Sequence, residues 1–318
     1  MTRIFDLTTR PDPGLFYSRN DRNDPRLGEI VRREHNDYET AEVVIIGCPQ
    51  DEGVRRNQGR PGAADAPTAI RRQFYKLTPF RIVRRIFDLG DVLLGDALEE
   101  THDRHREVVR QVLEDGKLVI VLGGGNDISY PDGRAMAECF GAKNWIAVSV
   151  DSHLDVRIAE QRNSGTPYRQ LLDEGLLEPG LFYQVGFQTH LCSPVYYDYI
   201  RNLGVHRIGL DMLRSRDAID TEIKEQIRQN FINHSESFSA FFGFDIDAVR
   251  ASDAPGASAP SPTGLRAGEF IRLVQYAASL SNTRLIEFSE VNPNFDVDDR
   301  TAKLVAQGMH RFCCGTVL

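Results

Sequence analysis

The sequence predicts an α/β fold of three layers, in which a mostly parallel sheet carries helices on both faces. Short apolar runs rich in β-branched residues recur along the chain, and segments with helical spacing separate them. This alternation is typical of parallel sheets, in which right-handed crossovers place a ligand site beyond the carboxyl ends of the strands. No linker divides the chain, so we expect an irregular lead-in over residues 1–40 and a single catalytic domain over residues 41–318.

Seven of the apolar runs are predicted to be buried strands, because they are short and nearly continuous. They are Glu42–Gly47, Lys117–Leu122, Trp145–Val150, Leu181–Val185, Val205–Leu210, Ala240–Phe244 and Arg284–Phe288. Six segments have the spacing of amphipathic helices. They are Ala66–Leu77, Arg104–Leu113, Ile128–Phe140, Thr221–Ile232, Arg266–Leu280 and Thr301–Phe312. The stretch Ala251–Gly264 directly follows a strand, so we interpret it as a loop at the site.

The composition argues against several classes of protein. The 318 residues carry a formal charge of −8, with 38 basic and 46 acidic residues dispersed along the chain, so no basic arm for nucleic acid is present. No stretch approaches the roughly 20 apolar residues that span a bilayer, and the residues after Met1 lack the apolar core of a signal peptide. Five cysteines without paired spacing suit a reducing compartment. We therefore expect a cytoplasmic protein that binds neither nucleic acid nor membranes.

Acidic residues follow two of the predicted strands at spacings of two residues. Asp151, His153 and Asp155 come directly after WIAVSV, and Asp245 and Asp247 come directly after AFFGF. In extended chain, alternate side chains share a face, so each set can point into one space. Like charges that close together repel, and burial penalises each of them, so the arrangement predicts a bound cation.

The types of donor indicate which cation binds. Carboxylates with an imidazole and no cysteine suit Mn²⁺ better than metals that prefer thiolates. These are too many acids for one ion, so two ions that share bridging carboxylates are the natural solution. The alternative is structural, because a lone Asp at a strand end usually caps a helix or turns the chain. Two clusters, each after a buried strand, favour the metal.

These motifs resemble those of the arginase, agmatinase and formiminoglutamase superfamily. DSHLD (151–155) is similar to its DAHxD motif, and DID (245–247) with the following Ala-Pro-Gly is similar to its SxDxDxxxxAPG motif. Three further segments match, namely 53–71, 123–127 and 290–293. The resemblance runs from about Glu42 to the C-terminus and implies an arginase-like fold, two Mn²⁺ ions per chain and an assembly of several chains.

The resemblance also implies a role for each ligand. Asp151 and Asp245 would bridge the two ions, and Asp155 would bind the first ion. His153 and Asp247 would bind the second ion.

One position departs from the superfamily pattern. The glycine turn normally contains His, and here that place is Asn126. An amide oxygen is a weaker ligand than imidazole but is acceptable to Mn²⁺, so we expect Asn126 to retain a looser first ion. The alternative is a decayed site with one ion or none, in an inactive binding or regulatory protein.

The resemblance further implies hydrolysis of an amidine or guanidine. A hydroxide held by the two ions would attack the planar carbon of the substrate. Asp155 would hold the hydroxide and carry its proton to the departing nitrogen, while Glu290 would face the positively charged imino nitrogen. The structural alternative for Glu290 is a strand-end carboxylate paired with a surface arginine.

Two segments favour the formiminoglutamase branch of the superfamily. Between Asp155 and Tyr168 the chain lacks the histidine of arginases. This stretch includes 164–167 (SGTP), which is similar to the SGTPF-type segment of formiminoglutamases. GGGND (123–127) is similar to the GGGHE or GGGHD turn of that branch. The implied reaction converts N-formimino-L-glutamate to L-glutamate and formamide. Agmatine, a guanidino acid and arginine are the alternative substrates.

A small amidine substrate that carries two carboxylates needs fixed cations near the metals. Arg60 and Arg157 are the candidates, because a guanidinium group can bond both oxygens of a carboxylate. Each could equally be a solvated surface arginine. Ser164 and Thr166 are candidates for neutral hydrogen bonds to the substrate, or for shaping a turn.

Overall fold

A computed structural model of the chain describes residues 3–215 and 238–314. Within these ranges, nine strands form one sheet in the order β1-β3-β2-β4-β9-β8-β5-β6-β7. All neighbouring strands are parallel except β1 and β3, which are antiparallel. The strands are β1 (Thr8–Thr9), β2 (Val43–Gly47), β3 (Ile86–Val92), β4 (Leu118–Leu122), β5 (Trp145–Val150), β6 (Phe182–Val185), β7 (His206–Ile208), β8 (Ser239–Asp245) and β9 (Thr283–Ser289).

Helices alternate with these strands along the chain. The described α-helices are α1 (Leu27–Ile30), α2 (Glu52–Arg56), α3 (Ala66–Phe74), α4 (Leu98–Glu114), α5 (Ser129–Phe140), α6 (Pro167–Asp173), α7 (Pro194–Leu203), α8 (Leu210–Ser215), α9 (Ala267–Ser279) and α10 (Arg300–Cys313). Short 3₁₀ helices lie at Arg3–Asp6, Pro13–Leu15, His35–Thr40, Ala63–Asp65, Asn126–Ile128, Pro179–Leu181, Thr189–Leu191, Ile246–Ala248 and Pro293–Phe295. No helix in the described ranges combines the length and the apolar character that crossing a membrane requires.

The helices pack in two groups, one made of α4, α5 and α6 and the other of α3, α9 and α10. The spacing of apolar residues explains this packing. For example, α10 buries Val305, Met309 and Phe312 along one face. The central strands β2, β5 and β8 are buried along their whole length, so both faces of the sheet are covered. The predicted three-layer α/β fold is therefore confirmed.

The predicted strands correspond to β2 and β4 to β9, with one prediction that was too long. Val205–Leu210 was expected to be a strand, but β7 ends at Ile208 and Leu210 begins α8. The sequence analysis missed β3, whose run IFDLGDV is interrupted by Asp88, Gly90 and Asp91. These polar residues hide a buried strand, because Asp88 is paired with a buried arginine that comes earlier in the chain.

Five predicted helices correspond to α3, α4, α5, α9 and α10, within a few residues at most ends. The exceptions are α4, which begins six residues before Arg104, and α3, which ends at Phe74 rather than Leu77. The predicted helix Thr221–Ile232 lies outside the described residues. The short helices α2, α6, α7 and α8 were not predicted, because each has too few turns to show a clear period.

The first forty residues contain little regular structure but contribute to the core. Ile4, Leu15, Leu27 and Tyr38 are buried and belong to the same apolar cluster as the sheet. Strand β1 adds to the edge of the sheet beside β3. The division between a lead-in and a catalytic domain at residue 40 stays a prediction.

Candidate metal centre and active site

Four neighbouring strands at the centre of the sheet deliver the predicted site residues. In spatial order these strands are β4, β9, β8 and β5. Asn126 follows β4, Glu290 follows β9, Asp245 ends β8 and Asp151 follows β5. Because the four strands are parallel, their carboxyl ends meet at one edge, and residues 126, 151, 245 and 290 lie together there.

Three of the carboxylates converge closely. One oxygen each from Asp151, Asp155 and Asp245 lies within 4.8 Å of the other two, and all three residues are buried. Asp151 Oδ1 accepts a hydrogen bond from the backbone N–H of His153 at 2.8 Å, and Asp245 Oδ1 accepts one from that of Asp247 at 2.7 Å. These turns after the strands hold the carboxylates in place.

His153 and Asp247 stand beside this group. His153 Nδ1 lies 3.3 Å from Asp151 Oδ1, and its side chain is 26% exposed. Asp247 is buried and accepts hydrogen bonds from the backbone N–H of Ala259, in the loop that follows β8. The structure thus brings together the two strand-end motifs that the sequence indicated.

Asn126 contacts the carboxylate group through its side-chain amide. Its Nδ2 donates to Asp155 Oδ2, while its Oδ1 accepts from the hydroxyls of Ser129 at 3.1 Å and Ser289 at 3.0 Å. Its backbone N–H donates to Glu290 Oε1 at 2.7 Å. Asn126 is therefore buried at the predicted place and bonded to both proposed catalytic residues.

The backbone at the two proposed catalytic residues is in the left-handed region. The φ angle is 48° at Asp155 and 61° at Glu290. Residues other than glycine adopt this conformation rarely, and such strain clusters at functional sites because the surrounding structure must hold it. This observation supports a functional interpretation of both residues.

Burial changes the proton affinity of most of these acids. Burial and the charge of Asp151 raise the pKa of both Asp155 and Asp245 well above the usual range. Burial raises the pKa of Asp247 to about 6. Burial, together with the charge of Asp247, raises the pKa of Glu290 to about 8. Without a cation, these groups therefore hold protons at higher pH than free carboxyls do.

Asp151 and His153 behave as an ion pair within the same site. Burial acts to raise the pKa of Asp151, but the hydrogen bonds and charge of His153 outweigh it and lower the pKa. Burial acts to lower the pKa of His153, but its interactions with Asp151 raise that pKa to about 10. The imidazolium of His153 is therefore the positive charge that this motif places beside Asp151, Asp155 and Asp247.

The site fits a divalent cation that prefers oxygen ligands. Asp151 Oδ2 and Glu290 Oε2 are buried and receive no hydrogen bond of ordinary geometry from any described residue. A buried carboxylate oxygen without a donor is costly, and a metal ion removes that cost. Carboxylate oxygens with one imidazole are the donor set that Mn²⁺ accepts.

A cavity of about 260 Å³ opens above the carboxylates. His153, Asp155, Asp245, Asp247 and Glu290 form part of its lining. Arg157 and Ser164, two of the predicted substrate-binding residues, line it as well. The cavity is thus acidic on the side of the strand ends and carries a cation on another wall.

The other two predicted substrate-binding residues are engaged within the protein. Arg60 donates to the backbone carbonyls of Ala257 and Ser258, and its guanidinium carbon lies 4.0 Å from the centre of the Phe295 ring. Thr166 is buried, and its hydroxyl donates to the carbonyl of Asn163 at 2.9 Å. The contact of Thr166 matches the alternative of shaping a turn, whereas Arg60 is half-buried and bonded to the backbone rather than solvated. The role of both residues in substrate binding stays a prediction.

Several polar residues that line the cavity were not predicted from the sequence, among them Asn57 and Tyr196. Asn57 follows α2, inside the segment 53–71 that resembles the superfamily, and Tyr196 lies in α7. The segment around Asn57 resembles the superfamily, but the sequence alone assigns Asn57 no role. No pattern around Tyr196 indicates the cavity.

The fold and the site define a class of protein, namely a three-layer α/β protein with a carboxylate-rich metal centre at the carboxyl edge of its sheet. Within that class, the model of the Arginase family matches residues 41–314. The chain belongs to the arginase family.

Within the family, the chain is most like formiminoglutamases, which are also called formimidoylglutamases. It is 30% identical to the formimidoylglutamase of Macrococcus caseolyticus, over 95% of this chain and 96% of that protein. The structure of Trypanosoma cruzi formiminoglutamase with Mn²⁺₂ superposes with a TM-score of 0.84 at 32% identity, over 92% of this chain and 98% of that one. Formimidoylglutamase from Bacillus subtilis gives a TM-score of 0.84 at 27% identity, over 93% of both chains.

Proposed function

We propose that this protein hydrolyses N-formimino-L-glutamate to L-glutamate and formamide at a centre that binds two Mn²⁺ ions. The observation that carries the proposal is the convergence of Asp151, Asp155 and Asp245 within 4.8 Å at the carboxyl ends of the sheet. The names of the relatives and the Mn²⁺₂ of the Trypanosoma cruzi enzyme support the choice of substrate and metal.

The ligands we propose are those that the sequence indicated. Asp151 and Asp245 would be shared by both ions, Asp155 and Asn126 would hold the first, and His153 and Asp247 would hold the second. Asn126 now presents Nδ2 to Asp155, so ligation through Oδ1 requires the amide to turn over. After that turn, the hydroxyls of Ser129 and Ser289 would accept from Nδ2, because a hydroxyl can either donate or accept.

Two residues of the chain would have separate roles in the reaction, namely proton transfer and orientation of the substrate. Bound Mn²⁺ ions supply a lowered pKa for water and so a nucleophile at neutral pH. Asp155 would take the proton from that water and deliver it to the nitrogen that becomes the amine of glutamate. Glu290, whose Oε2 receives no hydrogen bond from the described residues, would pair with the cationic formimino nitrogen.

Arg157 is the best-placed cation for a carboxylate of the substrate. Arg157 is an exposed residue of the cavity lining and makes no ion pair among the described residues. A guanidinium group that is already paired would have to break that contact first, whereas Arg157 would not. Its position therefore supports a substrate that is cationic at the formimino end and anionic elsewhere.

An assay of the Mn²⁺-loaded protein tests the proposal. We expect formamide release from N-formimino-L-glutamate, and slower turnover of agmatine, arginine and guanidino acids. Faster turnover of any of these alternatives would assign the protein to another amidinohydrolase activity. Binding of fewer than about one Mn²⁺ per chain at neutral to alkaline pH would eliminate two-metal catalysis.

A further inference from the structure

Three polar side chains that come from two separate segments form one wall of the cavity. Asn57 follows α2, while Arg157 and Ser164 belong to the loop after Asp155. We propose that Asn57 is a specificity-determining residue, which directs the hydroxyl of Ser164 into the cavity and completes with Arg157 a binding site for a substrate carboxylate. This inference rests on the proposed function and extends it to a residue with no assigned role.

The hydrogen bond between Asn57 and Ser164 sets the direction of the serine proton. Asn57 Nδ2 donates to Ser164 Oγ at 3.1 Å, so Ser164 acts as the acceptor in this contact. A hydroxyl that accepts one hydrogen bond keeps its own proton for another partner. The proton of Ser164 is therefore available to an anion in the cavity that both residues line.

The backbone fixes both residues relative to each other. The N–H groups of Asn57 and Ser164 donate to the same carbonyl, that of Gly53, each at 3.1 Å. Arg56, the last residue of α2, also donates to the carbonyl of Arg162 at 3.1 Å. Because these bonds join α2 to the loop, the donors are held in place before a ligand arrives, which lowers the entropy cost of binding.

The side chains of Arg157 and Asn57 both pack against Gly165, where a larger residue would clash with them. A Cβ atom on Gly165 would lie 2.7 Å from Arg157 Cδ and 3.0 Å from Asn57 Nδ2. The backbone N–H of Arg157 donates to the Gly165 carbonyl at 2.8 Å, and this bond holds the two ends of the loop together. The small residue thus lets the guanidinium and the amide approach each other on the cavity wall.

The charges of the residues that line the cavity favour a substrate with a cationic end and an anionic end. Asp245, Asp247 and Glu290 make another part of the lining acidic, whereas Arg157 is cationic. A molecule with an amidine at one end and a carboxylate at the other matches both parts. A diamine-like substrate such as agmatine would place its amine near Arg157, and that repulsion disfavours it.

The test compares Asn57→Ala and Asn57→Asp with the wild-type protein. Loss of one neutral donor and of the orientation of Ser164 is expected to raise KM for N-formimino-L-glutamate about tenfold in Asn57→Ala, with kcat nearly unchanged. Asn57→Asp should raise KM further, about 100-fold, because the new carboxylate accepts the Ser164 proton and pairs with Arg157. Asn202→Ala, at an exposed site in α7, serves as the matched control and should change neither constant.

Two further measurements separate this role from a structural one. An N-alkylformamidine without a carboxylate should be hydrolysed equally by the wild type and by Asn57→Ala. L-glutamate, followed by calorimetry with the Mn²⁺-loaded protein, should bind Asn57→Ala about tenfold more weakly than the wild type. An unchanged KM for formiminoglutamate, or an equal loss with the alkylformamidine, would overturn the inference.

The binding measurement also distinguishes failure of the inference from failure of the proposed function. If the wild type binds L-glutamate and Asn57→Ala binds it more weakly, the carboxylate site stands even without turnover of formiminoglutamate. If the wild type hydrolyses formiminoglutamate and Asn57→Ala binds L-glutamate equally well, the function stands and the inference is wrong.

Discussion

Two clusters of carboxylates, one partly buried and one fully buried, differ in the source of the positive charge that neutralises them. In the first, between α3 and β3, Arg71 donates from Nε to Asp88 Oδ2 at 2.8 Å and from Nη2 to Asp88 Oδ1 at 3.0 Å. Arg71 also bonds Asp91, and Tyr75 donates to Asp88. In the second, Asp151, Asp155 and Asp245 converge without an arginine or lysine in hydrogen-bond contact among the described residues.

The comparison shows that burial alone does not identify a metal centre. Burial acts to lower the pKa of Arg71, but Asp88 and Asp91 outweigh it and raise that pKa, so the first cluster is a complete ion-pair network. In the second cluster, burial and mutual repulsion raise the pKa of Asp155 and Asp245. The first cluster stabilises the fold by itself, whereas the second needs protons or a cation.

The largest expected effects come from removing one acid from each cluster. Asp245→Asn should lower kcat more than about 100-fold in the presence of Mn²⁺, because residues that only orient metal ligands already cost 10–100-fold. Without metal, its melting temperature should equal or exceed that of the wild type. Burial and the charge of Asp151 raise the pKa of Asp245, and a neutral amide avoids the cost of keeping that carboxyl protonated. Asp88→Asn should instead lose about 3–5 kcal/mol of stability, because it breaks a buried ion pair.

Kinetics and thermal melting of the two variants, with and without Mn²⁺, measure this contrast. A strong destabilisation of metal-free Asp245→Asn would show that its carboxylate is satisfied by the protein, and the distinction between the clusters would then be lost.

Glu290→Gln tests the difference between the two clusters at a single carboxylate. Glu290 Oε1 accepts from Asn126 N–H, but Oε2 receives no hydrogen bond from the described residues, unlike the oxygens of Asp88. We expect kcat to fall about 10–100-fold, because the cationic nitrogen of the substrate loses its charged partner. The matched control is Glu269→Gln at the start of α9, where the carboxylate accepts from the Arg266 N–H and should not affect turnover. Equal rates for wild type and Glu290→Gln would contradict the proposed role.

Asn126→His tests whether residue 126 occupies a metal-ligand position in the second cluster. Imidazole is a stronger ligand than an amide, so the Mn²⁺ concentration for half-maximal activity should fall by about tenfold. Titration of the metal-free protein with Mn²⁺, followed by activity and by bound metal, provides the measurement. If the variant binds Mn²⁺ no more tightly, Asn126 does not occupy a ligand position.

The smallest expected effect is a change with pH in how much Mn²⁺ stabilises the folded protein. The pKa of Asp247 is raised to about 6 and that of Glu290 to about 8, above unfolded values near about 4. The folded state therefore binds more protons than the unfolded one, and these groups make the metal-free protein less stable as pH rises through this range. Mn²⁺ bound by Asp247 and beside Glu290 would favour the ionised forms of both carboxyls. It should therefore raise the melting temperature by a few degrees more at about pH 8.5 than at about pH 6.

Differential scanning calorimetry of the wild type at both pH values, with and without Mn²⁺, tests this dependence. The loss of stability in Asp88→Asn should be the same at both, because Arg71 does not titrate there. An identical effect of Mn²⁺ at both pH values would contradict the inferred competition between metal and protons.

The sequence predicted the convergence of the carboxylates where the information was local. Asp151 and Asp155 belong to one five-residue motif directly after β5, and the parallel sheet brings that motif to Asp245. Strand β3 could not be predicted in this way, because Asp88 is buried only through its pairing with Arg71, 17 residues earlier. Asn57 and Ser164 are 107 residues apart, so no spacing indicates their contact.

The order of the strands determines when this protein can complete its folding. Strand β9 lies between β4 and β8, so it joins the half of the sheet that carries Asn126 to the half that carries Asp151 and Asp245. It is also the last strand in the described chain to leave the ribosome. A nascent chain released before residue 283 would keep two hydrophobic sheet edges unpaired and would hold the halves of its metal centre apart, which makes truncated products candidates for aggregation rather than for partial activity.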